Sequence, residues 1–440
     1  MWWLSLTIYN LLLPLWLLLM LPAALLKMQR RGGRWRDLTQ RFTLWSVEQQ
    51  TQVEELPAEE RYWVHAVSVG EVGIARKFIQ ALLIERPAAS VILTTTTPTG
   101  YTLAQEAQQT TPGRLVALYS PLDLTFTAKR ALSFFQPKRI LLIEAEVWPN
   151  LMQAARAAAV PVSLLNARLS PKSERRYRAM RFWVKPLFSL LDQVGVPVES
   201  DVARWTGLGV VPQRIHITGS IKFDPQGAAP AQQQVQLVGK LLHQAGMTLR
   251  PLLLAASTHA GEELALTQSY QELRTQWPHL GLLLVPRHFE RGTAIQAELA
   301  ALGITTQLRS SAELHAPCDV LIVDSTGELK AWQAWATVVI IGKSFLAEGG
   351  QNPAEAILAG KPVICGPHME NFADLIDTLQ AAQAVQVVPE LKELPAVTDT
   401  LLRNPSDGTA MAERGQQVLA QHNGATQRSV RLVCMPPSSP

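Results

Sequence analysis

The sequence predicts an α/β protein of two doubly wound parallel-sheet domains facing a cleft, with an apolar helix ahead of them. Three observations predict it. From residue 61 onward, short apolar runs of strand length alternate with amphipathic stretches of helix length, the rhythm of parallel sheets covered by helices. That rhythm breaks over 223–232, where Asp, Pro, Gly, Ala and Gln collect, and then resumes. Residues 1–26 carry no charged side chain at all.

The 440 residues are 47% hydrophobic and 17% charged, which excludes a disordered chain and supports a large buried core. Three cysteines, Cys318, Cys365 and Cys434, are too few for a disulfide framework, and no Cys or His pair stands at structural zinc spacing, so a reducing compartment fits. The net charge of +4 is concentrated at the front, in Lys27, Arg30, Arg31, Arg34 and Arg36. The rest of the chain is about neutral, without the broad basic excess of a nucleic-acid partner.

The first element, 1–26, has the length of a bilayer-crossing helix, interrupted by Pro14 and Pro22, and a shallowly inserted helix fits as well. Its positive charges follow the apolar stretch, where a cleaved signal peptide would carry them before it. The positive-inside rule then predicts an uncleaved anchor with a cytoplasmic body. Residues 27–60 read as a basic juxtamembrane segment and linker. The N-terminal domain, 61–222, carries candidate strands at Tyr62–Val67, Val91–Thr95, Leu115–Tyr119, Ile140–Ile143, Val162–Leu165, Val194–Val198 and Ile215–Thr218. After the linker at 223–232, the C-terminal domain, 233–425, carries Leu252–Ala256, Leu282–Val285, Val320–Val323, Val338–Ile341, Val363–Cys365 and Val385–Val388. Residues 426–440 read as a tail.

Ligands of such sheets bind at the carboxyl ends of the strands, so polar residues there are the functional candidates. Several familiar signatures are absent. Gly342-Lys343-Ser344 resembles the end of a phosphate-binding loop, but Thr337 stands where its first Gly belongs; Gly207-Leu208-Gly209 does not continue as a dinucleotide fingerprint; and neither His-Glu-x-x-His nor Asp-x-Asp occurs. A metal-free site follows as the expectation.

In the first domain, Ser68-Val69-Gly70-Glu71 links a strand to its helix. Glu71 serves either as a proton-accepting base facing the cleft or simply as a first-turn acid of that helix. Glu144 and Glu146 leave the end of a strand, suited to sugar hydroxyls or to a structural burial. Asn166-Ala167-Arg168-Leu169-Ser170 and Gly219-Ser220-Ile221-Lys222-Phe223-Asp224 also follow strands, with Lys222 placed for an anion. In the second domain, Gly349-Gly350-Gln351-Asn352-Pro353-Ala354-Glu355 predicts a helix capped by Asn352 and begun by Pro353, serving either as an ordinary capped helix or as a ligand site, with the glycine pair letting backbone N–H groups approach a phosphate and Glu355 accepting from a ribose. Pro286-Arg287-His288, Ser257-Thr258-His259 and Lys343-Ser344 supply further polar strand ends. Arg175, Arg176, Arg178 and Arg181 suit lipid phosphates or a solvated helix face.

Taken in order, these motifs resemble the Kdo transferases, lipid A glycosyltransferases of Gram-negative bacteria with the GT-B fold of two Rossmann-like domains. The resemblance implies inverting, metal-independent transfer of 3-deoxy-D-manno-octulosonic acid (Kdo) from CMP-Kdo to a lipid A precursor, lipid IVA, at the inner membrane, with no cofactor. It implies Glu71 as the general base, with Ser68, Gly70, Glu144, Glu146, Arg168 and Lys222 as substrate contacts. CMP then falls to Ser257, Thr258, Pro286, Arg287, His288, Lys343, Ser344, Gly349, Gly350, Asn352 and Glu355. Many members have Asn where this chain has Ser220 and Thr where it has Ala145, departures that leave the charged positions intact. A UDP-sugar transferase or epimerase of the same fold, or a non-catalytic membrane-tethered nucleotide-binding protein, shares the second-domain motifs but has no need of Glu71.

Overall fold

A computed structural model describes residues 6–19, 35–169, 171–224, 231–311, 313–315 and 318–435. The chain divides into two compact units. Unit 1 comprises Met1–Asp224 together with Gly424–Pro440, and unit 2 comprises Pro225–Asn423.

Unit 1 holds a seven-stranded sheet of β1 (Glu60–His65), β2 (Ala89–Thr95), β3 (Leu115–Tyr119), β4 (Arg139–Ile143), β5 (Val162–Leu165), β6 (Gln193–Val196) and β7 (Ile215–Ile217) in the order β3-β2-β1-β4-β5-β6-β7, with every pairing parallel. Alternation along each strand feeds two cores. Trp63, Ile92 and Leu142 pack on one face with Phe135 and Trp205, while Val64, Leu93 and Leu141 pack on the other with Phe78 and Ile79. The strand order reverses between β1 and β4, and this switch point is where the fold opens room for a ligand.

The helix Val69–Glu85 after β1 starts where Ser68, extended and non-helical, accepts the backbone N–H of Glu71. It stops at Arg86, whose successor Pro87 disfavours helical geometry for the residue before it. Within the segment read as a basic linker, two helices form, Trp35–Arg41 and Val47–Glu54, the second begun by a capping box between Ser46 and Gln49. Residues 425–434, set apart in sequence as domain end and tail, form the helix Ala425–Cys434. Asp224 accepts the N–H groups of Gly424 and Thr426 at its start, and Val430, Leu432 and Val433 complete the core around Phe78.

The apolar N-terminal segment is helical over 6–19, and the rest of the proposed anchor lies outside the described residues. Fourteen residues rise about 21 Å, short of a hydrocarbon layer of about 30 Å. Among the described residues, no helix is long and apolar enough to cross a membrane, so a spanning anchor has no support here. The helix is amphipathic in an inverted sense. Leu6, Tyr9, Asn10, Leu13 and Leu17, spaced three or four apart, are its buried or half-buried stripe. Leu11, Leu12, Leu15, Trp16, Leu18 and Leu19 are exposed. Tyr9 donates to Asp123 at 2.9 Å, and the side-chain amides of Asn10 and Asn150 pair with each other at 2.7 and 3.1 Å.

Unit 2 holds β8 (Leu252–Thr258), β9 (Gly281–Pro286), β10 (Thr306–Leu308), β11 (Val320–Ile322), β12 (Val338–Ile341), β13 (Val363–Cys365) and β14 (Gln386–Val387) in the order β10-β11-β9-β8-β12-β13-β14, again all parallel. Its order reverses between β8 and β12. β10 is absent from the sequence expectation, because three half-exposed residues on the sheet edge make no apolar run. The proposed interdomain linker lies largely outside the described residues, at 225–230.

Candidate functional site

Each unit places some of its predicted polar residues at its own switch point, and others follow neighbouring strands. In unit 1, Glu71 follows β1, and Glu144 and Glu146 follow β4, the two strands between which the order reverses. Glu71 is 7% exposed although it stands in the first turn of its helix. Its Oε2 accepts the Val67 N–H at 2.8 Å and its Oε1 accepts the Ser68 hydroxyl at 2.8 Å. Burial pushes the carboxyl up to about 7, the charges of Glu144 and Glu146 add to the rise, and the two hydrogen bonds oppose it. A carboxyl that exchanges its proton near neutrality is matched to general acid–base work. Glu71 also stands in the first turn of its helix, whose start Ser68 closes by accepting its backbone N–H.

The acids after β4 are held by unusual local structure. Glu144 has φ +63°, a conformation disfavoured for a side chain of its size, and Glu146 accepts the indole N–H of Trp148 at 3.0 Å. Trp148 meets the His65 ring edge-on, with centroids 4.6 Å apart. His65 is fully enclosed, and burial lowers its imidazole to about 4, so it is a neutral wall. Trp148 and His65 are absent from the expected site residues; the signal for them lay in their places, His65 at the end of β1 and Trp148 in the loop after β4. Ser68 and Arg168 are half-buried and Gly70 is exposed. Asn166 accepts from the Ser220 hydroxyl at 3.1 Å and the Ile221 N–H at 3.0 Å, which ties the loop after β5 to the turn that carries Lys222. The Lys222 ammonium lies 5.6 Å from the Phe223 ring centre.

In unit 2, the loop after β12 curls the N–H groups of Lys343, Ser344 and Phe345 into a cradle of the kind that holds phosphates. The cradle is occupied from within the chain. Glu262, fully buried, accepts from Lys343 N–H at 2.6 Å, Ser344 at 3.1 Å and Phe345 at 3.3 Å, and also from His259 N–H at 3.0 Å. A bulge at Ser257, with φ +56°, brings the end of β8 against this loop, and a Cβ at Gly342 would fall 2.6 Å from the Ser257 carbonyl oxygen. Only glycine permits that approach.

The hydroxyls of Thr258 and Ser344 are engaged inside the fold: Thr258 donates to Glu263, and Ser344 donates to the Ile341 carbonyl and accepts from Gly366. The glycine pair is engaged as well, the Gly349 N–H by Glu370 at 2.5 Å and the Gly350 N–H by the Lys343 carbonyl at 2.9 Å. Asn352 accepts from Ala354 N–H at 3.1 Å, and the helix it precedes is short, Ala354–Leu358, with half-buried Glu355 in its first turn. Pro286 is buried; Arg287 and His288 are exposed; Ser257 and Lys343 are half-buried. Two residues of these segments that the resemblance does not assign to CMP, His259 and Gln351, are joined at 3.3 Å. Among the described residues, no group of three or more His, Cys, Asp or Glu side chains is arranged to hold a metal ion.

The family described as 3-Deoxy-D-manno-octulosonic-acid transferase (kdotransferase) matches residues 35–225. The 3-deoxy-D-manno-octulosonic acid transferase of Bordetella pertussis is 38% identical over 375 residues, covering 84% of this chain and 85% of its own. The corresponding protein of Haemophilus influenzae is 31% identical over 379 residues, covering 86% of this chain and 87% of its own. Among solved structures, UDP-GlcNAc 2-epimerase from Neisseria meningitidis, bound to UDP-GlcNAc, matches with a TM-score of 0.56 and 14% identity over 85% of this chain and 99% of its own. That likeness concerns the fold, two parallel α/β units of GT-B type. By sequence and fold together, the chain belongs to the 3-deoxy-D-manno-octulosonic acid (Kdo) transferases and is a glycosyltransferase.

Proposed function

We propose that this enzyme takes CMP-Kdo as donor and lipid IVA as acceptor, inverts the anomeric centre and needs no metal ion. The observation that carries the reading is Glu71: a buried carboxyl at the switch point, raised to about 7 by burial and by Glu144 and Glu146. It accepts the proton of an acceptor hydroxyl, which attacks the anomeric carbon as the C–O bond to the CMP phosphate breaks and CMP leaves. The leaving phosphate calls for positive charge, which Arg287 and Lys343 supply in unit 2 where another enzyme would use a metal. Ser68 and Val67 hold the base, and Glu146 with Trp148, Arg168 and Lys222 are assigned to sugar and acceptor contacts. The exposed apolar side of helix 6–19 and the basic run behind it support placement at the inner leaflet, where an acylated acceptor resides.

Two variants test the division of labour. Glu71→Ala abolishes turnover while CMP still binds, and a kcat near that of the wild type removes Glu71 as base. Glu355→Ala weakens CMP binding in calorimetry, and unchanged affinity removes it from the nucleotide site. Incubation of purified enzyme with CMP-Kdo and tetra-acylated precursor yields a product heavier by one or more Kdo residues. Competition by UDP but not CMP favours the UDP-sugar alternative.

A further inference from the structure

The end of unit 2 that holds Gly342 concentrates positive charge around one imidazole. Arg287 and His288 come from the turn after β9, Lys343 from the loop after β12, and His259 from the turn after β8. The rings of His259 and His288 are 5.8 Å apart, edge to face. The acids of the adjoining helix are already committed: Glu263 pairs with Arg291 at 2.8 Å and accepts from Thr258, and Glu262 accepts four backbone N–H groups. A carboxylate has about four lone-pair sites, so Glu262 is saturated. Burial first, then the charge on Lys343, hold the His259 imidazole below its ordinary range, with His288 and Arg287 adding to the effect and Glu262 opposing it. Unliganded at neutral pH, His259 is therefore neutral, and its Nε2 takes a hydrogen bond from the Gln351 amide.

A neutral imidazole among cations, with its backbone fixed by Glu262, is arranged to respond to an incoming anion. We propose that His259 is a direct contact for the phosphate of the bound nucleotide, and that it takes up a proton from solvent as that phosphate arrives. This rests on the reading that unit 2 binds the CMP part of the donor. On protonation Gln351 turns its amide so that the carbonyl oxygen accepts from one ring nitrogen, and the phosphate accepts from the other. The site thereby gains a cation only when it is filled. Glu262 is the positioning residue, because its carboxylate sets the backbone of both His259 and Lys343.

Titration calorimetry of the full-length enzyme with CMP tests this, run at about pH 7.5, where the phosphate is already mostly dianionic and releases few protons itself. Two buffers of different ionisation enthalpy give the number of protons exchanged. Wild-type enzyme is expected to take up a substantial fraction of one proton. His259→Gln is expected to take up none and to bind CMP about tenfold more weakly, the scale of one charge-assisted hydrogen bond. Wild-type binding without proton uptake overturns the proposal by itself, whether or not the variant folds. Equal affinity and equal proton uptake in wild type and His259→Gln overturn it too, while leaving the nucleotide reading intact. Failure of the wild type to bind CMP removes the nucleotide reading and the proposal together.

Discussion

Glu71 shows how one residue can close a helix and also be suited to the proposed proton transfer. Its backbone N–H and Ser68 close the start of a helix, while its carboxyl, displaced from water, keeps its proton to about pH 7. The sign of the pH dependence follows. The folded value lies above the ordinary 4.5, so the folded state holds the extra proton between the two values; its stabilising effect is complete below about 4.5 and is lost as pH rises through about 7. Activity runs the opposite way, because a base must be deprotonated, so kcat is expected to climb through about pH 7. Glu71→Gln can keep both hydrogen bonds, its carbonyl oxygen accepting from Val67 and its amide donating to Ser68. It should remove turnover and raise unfolding free energy at alkaline pH by on the order of 1–3 kcal/mol, read from denaturant titrations at several pH values. A kcat profile flat between pH 5 and 9 would argue against the base. The resemblance made Glu71 legible in sequence. Its raised proton affinity was not, since that comes first from burial in the folded chain and then from the charges of acids about 75 residues further on.

At the scale of elements, the strand ends were legible because buried parallel strands are short apolar runs and their loops are not. What the loops do with their N–H groups was illegible. Gly349-Gly350 reads as an open phosphate cradle, yet the groups meet Glu370 and the Lys343 carbonyl; Gly342-Lys343-Ser344 does form a cradle, but around Glu262, 81 residues earlier. No local pattern announces such a partner. The consequence is measurable. Glu262→Ala strands several buried donors, each costing about 1–3 kcal/mol when unmet, so a loss of more than about 3 kcal/mol in stability is expected by chemical denaturation, with weakened CMP binding. Thermal and chemical stability equal to the wild type would show that the cradle finds another acceptor.

For the whole molecule, the division into two units was legible from the polar break near residue 225, but the return of the C-terminal helix was not. Val430, Leu432 and Val433 look like a weak amphipathic end until Asp224 fixes their helix against unit 1. Fully burying a Val or Leu contributes about 1.5–3 kcal/mol. Truncation after Asn423 is therefore expected to lower the unfolding transition of unit 1 while leaving that of unit 2 in place, visible as two separated calorimetric peaks. A single unchanged transition would contradict this. The helix over 6–19 makes a second prediction. If its Leu and Trp side enters lipid, sedimentation with anionic vesicles should be lost on removing residues 1–36 and kept after Tyr9→Phe, which alters only the docked stripe.

The C-terminal helix also sets an order on biosynthesis. Chains emerge from the ribosome N-terminus first, and domains ordinarily fold as they appear. Here the half translated first lacks the Val430, Leu432 and Val433 that complete its core until residues 425–434 have been made. The half translated second can close on its own in the meantime, so the earlier-made half is the later to mature.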